Sequence, residues 1–150
     1  MRTRPGYTLL ELAVTMLIVS LMMSVTLTSA RSFRHRAEVR GSADRYVAKH
    51  ALARAVAVRS GRTTLLQVDT AGRRMWLEVQ RTATARDTVG VMDYFDNRLT
   101  LRSDRAVLCF DGRGLAKSGG SCDAPNATVI FTLAGRADTV RVSAVGRIVR

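Results

Sequence analysis

Four kinds of residue in this chain could carry chemistry. Cys109 and Cys122 are its only cysteines, and His35 and His50 its only histidines. Glu11 stands at the entrance to a long apolar run, and Arg136, Arg141, Arg147 and Arg150 crowd the C-terminal end. Two cysteines alone cannot fill a tetrahedral metal site, and the histidines are far from them in sequence; the pair is a disulfide or two free thiols. His50 has no second ligand at helical spacing and reads as a half-buried packing residue. His35 lies among arginines and reads as surface. No nucleophile elbow, P-loop, HExxH or CxxC pattern occurs. Gly112-Arg113-Gly114 is no phosphate loop, because no strand-to-helix context surrounds it. These residues make no catalytic set and imply no cofactor or metal, so an enzyme is not expected.

The element that positions Glu11 is the apolar run. Leu12 to Ala30 is 19 residues without a charge, a Gly or a Pro. As a helix it would rise about 28 Å, close to the hydrocarbon thickness of a bilayer. Thr28-Ser29-Ala30 offers a weak cleavage site for a secretory signal peptide. The length of the run and the acid at its entrance favour a single membrane span instead. A carboxylate at the hydrocarbon edge costs on the order of 2–3 kcal/mol unless it is paired or reaches the interface. Glu11 therefore has either a partner or a route to the headgroups.

Gly6-Tyr7-Thr8-Leu9-Leu10-Glu11, after a short basic leader and before the apolar run, resembles the processing site of type IV pilins and type II secretion pseudopilins. The resemblance implies a cut by prepilin peptidase between Gly6 and Tyr7, N-methylation of Tyr7, and pairing of Glu11 with the N-terminal amine of a neighbouring subunit. Ammonium and carboxylate, each costly alone in lipid, compensate each other only when subunits pack in register. The implied location is the inner membrane, single-pass, with the C-terminal part in the periplasm or exported into a filament of other pilins or pseudopilins. Counting charge near the span opposes that orientation, because Arg31, Arg34, Arg36, Arg40 and Arg45 follow it closely. A specific processing motif outweighs that statistical bias. Major pilins often carry a Pro in the first half of this helix; its absence here resembles a minor component.

Behind the motif, one helix is expected from Tyr7 to about Arg59, weakened only at Gly41. Its second half sets Val39, Ala43, Tyr46, Ala53 and Ala57 on one face, with His50 on the same stripe. After Gly61 the period turns to two. Thr63–Val68 and Met75–Gln80 read as a hairpin around Asp69-Thr70-Ala71-Gly72, and Arg81–Thr88 as a loop. Val89–Met92, Leu99–Leu101 and Ala106–Phe110 are short strand candidates. Thr128–Leu133 and Thr139–Ser143 form a second hairpin around residues 134–138, and Gly146–Arg150 is an edge strand or a tail. Trp76 is expected in the core. The expected fold is α+β: a long N-terminal helix, transmembrane then amphipathic, packed against an antiparallel β-sheet domain. The expected segments are a leader at 1–6, the transmembrane half of the helix at 7–30, its extramembrane half at 31–60, and the β domain at 61–150.

In an oxidising compartment Cys109 and Cys122 favour the disulfide, since turn-rich sequence lies between them. The Phe110-Asp111-Gly112-Arg113-Gly114 segment beside Cys109, the closing hairpin and the terminal Val-Ser-Ala-Val-Gly-Arg are similar to the FimT/GspH group of minor pilins and pseudopilins. Some FimT-like members bind DNA in natural transformation through a Gly-Arg-x-Arg end, which implies Arg136, Arg141, Arg147 and Arg150 as a DNA-contacting set. Here Gly146-Arg147-Ile148-Val149-Arg150 puts the second Arg one residue late. The alternative is a solvated basic edge that blocks strand-to-strand aggregation.

Charge is consistent with both readings. The 150 residues hold 24 Lys+Arg against 12 Asp+Glu, and 47% are hydrophobic, which excludes a disordered basic tail. Of the net +12, +7 falls on residues 31–62 and +3 on residues 136–150. The length excludes a large multidomain enzyme.

Overall fold

The computed structural model describes residues 8–82, 84–123 and 125–149, with backbone only at 25–29 and 31. The chain divides into two compact units, residues 1–36 and 37–150. One helix, α1 (Leu9–Ser60), contributes to both. It begins at Thr8, whose Oγ1 accepts the Glu11 backbone N–H at 3.2 Å. Thr8-Leu9-Leu10-Glu11 is thus the S/T-x-x-E pattern of a helix start. Gly61, at φ 64°, ends the helix in a left-handed position that glycine adopts without strain.

In the first unit the side chains of α1 from Leu9 to Ser24 are exposed, Leu9, Leu10, Met16 and Met22 among them, while Ser32 and His35 are half-buried. Thr15, Ser20 and Ser24 each donate a hydroxyl hydrogen bond to the carbonyl three residues back, at 2.8–2.9 Å. The expected single-pass span is overturned here: among the described residues no helix is long and apolar enough to cross a membrane. Thr15, Ser20 and Ser24 place hydroxyls among the apolar side chains of the run and lower its hydropathy. The inner-membrane location and the periplasmic placement of the remaining chain rested on that span and fall with it.

The second unit packs the end of α1 on two antiparallel sheets. Among the described residues nine strands follow the helix: β1 (Thr64–Asp69), β2 (Arg74–Gln80), β3 (Arg86–Tyr94), β4 (Thr100–Ser103), β5 (Val107–Phe110), β6 (Ala116–Lys117), β7 (Ala127–Leu133), β8 (Arg136–Val142) and β9 (Ile148–Val149). They order as β3-β2-β1-β5-β6 and β4-β7-β8-β9, so the single sheet expected from sequence is two. Val39, Ala43, Tyr46, Ala53 and Ala57 are all buried, as their spacing of three and four requires. They meet Leu66, Met75, Leu77, Leu108, Phe110, Val129, Phe131 and Val140 from the inner faces of both sheets.

Three further expectations change. Trp76 is half-buried on the outer face, because Met75 and Leu77 on either side of it take the inner one. Its indole N–H donates to Glu78 at 2.8 Å, and the Arg74 guanidinium lies 5.5 Å from its ring centre. Strand β3 begins inside the expected 81–88 loop; its solvated residues carry no apolar alternation, and its register against β2 shifts between Met75 and Leu77. The β7–β8 turn is two residues, Ala134-Gly135, at φ 49° and 75°, the geometry whose twist matches flanking strands.

Candidate functional site

The two ends of the chain carry Glu11 and the arginines singled out by sequence. At the N-terminus, Gly6 and Tyr7 lie outside the described residues. Glu11 lies in the first turn of α1, where its charge favours the helix dipole and its backbone N–H is held by Thr8. Its neighbours Leu9, Leu10 and Leu12 are exposed, so a carboxylate stands among unburied apolar side chains. The capping pattern was present in sequence as Thr8-x-x-Glu11, and it gives Glu11 a local structural role besides any intermolecular one.

At the C-terminus, strand parity decides which arginines meet. Val140 and Val142 point inward, so Arg141 points outward. Arg141 is directly opposite Val149 across β8 and β9. Ser143 N–H donates to the Arg147 carbonyl at 2.8 Å, and Arg147 N–H donates to Ser143 Oγ at 3.0 Å, which continues the pairing. Arg141 and Arg147 therefore share the outer face as diagonal neighbours. Arg136 is five residues from Arg141 on the same strand and lies on the other face. Arg150 lies outside the described residues. Gly146 fixes the approach of this end: at φ 76°, a Cβ there would be 3.2 Å from Ala116 Cβ and 3.3 Å from Phe110 Cε1.

Register adds a residue that sequence reasoning missed. Arg102 on β4 is opposite Ile130 on β7, and Ile130 is opposite Thr139 on β8. Arg102, Thr128, Thr132, Thr139, Arg141 and Arg147 thus form one outer face of the four-stranded sheet. Among the described residues, Arg102, Arg141 and Arg147 form no ion pair with a carboxylate. Only the strand order, set by long-range pairing, could reveal Arg102.

Cys109 and Cys122 form a disulfide with Cα atoms 5.6 Å apart. Cys109 lies on the outer face of β5, buried opposite Leu65. Nearby, Glu78 accepts from Trp76, Gln67 and Arg86. Burial alone would raise its carboxyl, but those donors hold it below the usual range. His50 is buried, edge-on to Phe110 at 5.0 Å between ring centres. Burial first, and the Arg54 charge second, push its pKa down to about 4. It is therefore neutral near pH 7 and packs as an aromatic ring. Among the described residues no three His, Cys, Asp or Glu side chains come together to hold a metal ion.

Comparison with known proteins fits this geometry. A family model described as the prokaryotic N-terminal methylation motif matches residues 1–27. The type IV minor pilin FimU of Pseudomonas aeruginosa superposes with a TM-score of 0.60 at 19% identity, covering 78% of this chain and 90% of that one. The minor pseudopilin EpsH of the Vibrio cholerae type II secretion system superposes with a TM-score of 0.60 at 14% identity, covering 75% and 94%. A search of curated proteins found no significant match. The fold is pilin-like: an N-terminal helix on antiparallel sheet, as in minor pilins and pseudopilins.

Proposed function

We propose that this chain is a minor pilin or pseudopilin of the FimT/GspH kind, cut by prepilin peptidase between Gly6 and Tyr7, N-methylated on Tyr7, and built into a filament through α1. One observation carries the reading: a methylation motif over residues 1–27 precedes a pilin-like fold. Glu11 pairs with the new amine of a neighbouring subunit. When helices pack around it, an unpaired carboxylate is desolvated at a cost of several kcal/mol, and the amine removes that cost only in the correct register. Glu11→Gln separates the two roles of the residue, because glutamine is accepted in the capping pattern but carries no charge. The variant is expected to be cut normally and to be lost from filaments, scored by immunoblot of sheared filaments. Normal incorporation would sink the pairing.

A second reading is favoured by the outer sheet face. Arg102, Arg141 and Arg147 project from one threonine-rich surface without carboxylate partners among the described residues. Such a face contacts phosphates without reading bases and supports a DNA-binding minor pilin active in DNA uptake. A gel shift of the full chain in mild detergent with duplex DNA tests it. Replacing Arg141 and Arg147 by Gln is expected to lower the log–log salt slope by about one per lost phosphate contact. No shift at low salt ends this reading.

A further inference from the structure

The last turns of α1 carry a groove of about 520 Å³ that neither reading uses. Its floor is Ala51, Ala55 and Val58, one above another at spacings of four and three. Its rim is Arg54, Arg59 and Arg113. The rim is built rather than loose. Asp111 Oδ1 accepts the N–H groups of Arg113 at 3.0 Å and Leu115 at 2.9 Å, and Gly114 N–H donates to the Asp111 carbonyl at 2.8 Å. Arg54 Nε then donates to the Gly114 carbonyl at 2.9 Å, which ties the turn to the helix. A Cβ on Gly114, at φ 75°, would be 2.9 Å from Val58 Cγ2, so only glycine lets the turn close on the floor. Among the described residues none of the three arginines forms an ion pair with a carboxylate.

From this charge pattern we infer that the groove docks an acidic amphipathic helix of a neighbouring protein. An alanine floor lets a second helix axis approach to about 8 Å. A glutamate on the flank of that helix lays its aliphatic stem on the floor and sets its carboxylate bidentate on a guanidinium. A single-stranded nucleic acid fits less well, because no aromatic ring lines the groove for a base to stack on. This inference rests on the filament-subunit reading and adds to it the chemistry of one neighbour.

The test uses the full chain in mild detergent and fluorescence anisotropy. The probe is a labelled synthetic helix with Leu and Ala on one face and Glu on both flanks. Its twin carries Gln for every Glu; an oligo-dT strand and phosphatidylglycerol vesicles serve as other polyanions. The acidic helix is expected to bind, and the Gln twin about tenfold or more weaker. Joint Arg59→Glu and Arg113→Glu should cost a similar factor, Ala55→Trp should block the floor, and Lys117→Glu on β6 should change nothing. Equal binding of the Gln twin, no binding of the acidic helix, or tighter binding of oligo-dT or vesicles through the same arginines each overturns the inference. Cleavage after Gly6 is scored on the same proteins. Normal cleavage with failed docking rejects the groove alone, and failed cleavage rejects the filament reading.

Discussion

His50 shows how burial converts a titratable residue into a packing residue. Its folded pKa of about 4 lies below the ordinary histidine value of 6.5, so the unfolded chain takes up the proton first as pH falls. Its contribution is fully present above about pH 6.5 and is lost progressively towards pH 4. The loss is on the order of 2–3 kcal/mol for this shift. Urea unfolding at pH 7 and pH 4.5 measures it. His50→Phe, which keeps a ring against Phe110, should flatten that part of the profile; an unchanged slope would refute the assignment. Gly114 makes a steric prediction at the same scale. Gly114→Ala combines a 2.9 Å contact with a left-handed φ of 75° and should destabilise by about 1–3 kcal/mol, read from the denaturation midpoint.

The elements respond to cross-links between them. The Cys109–Cys122 disulfide closes a loop with a sequence separation of 13 around β6. Joint replacement by Ser should cost about 3 kcal/mol in the chain-entropy model, visible as a lower Tm that reductant no longer changes. Lys49 links α1 to β3: it pairs with Asp93 and donates to the Val91 carbonyl at 2.7 Å while almost buried. Lys49→Ala strands Asp93 and should destabilise by about 1–3 kcal/mol, whereas exposed Lys117→Ala should do little. Elements fixed by local spacing were legible in the sequence. The α1 stripe follows from three-and-four spacing, and the β1–β2 hairpin from Asp69 and Gly72, whose N–H donates to Asp69 at 2.8 Å. Elements fixed by distant partners were not. Two-residue strands such as β6 have no period, β3 has a solvated face, and Trp76 faces outward only because its neighbours fill the core. The candidate sites divide the same way: Glu11 and its Thr8 cap are local patterns, while the Arg102–Arg141–Arg147 face depends on the order β4-β7-β8-β9.

At the scale of the whole molecule, charge and exposed apolar surface are separated along the chain. Residues 31–62 carry +7, while the described apolar side chains of residues 9–23 are exposed. The proposed assembly through the N-terminal helix would use such unburied surface, since contiguous exposed apolar patches mark interaction sites. On the proposed readings, the arginine-bearing surfaces of the second unit carry the contacts with neighbours or DNA. The account depends on what becomes of the first residues before assembly. Intact-mass and N-terminal peptide analysis of the chain from cells expressing a prepilin peptidase tests that directly. The account predicts a mature protein that begins at Tyr7 and carries one added methyl on its amine. A chain that keeps residues 1–6, or one cut after Ala30 as a secretory signal would be, contradicts it.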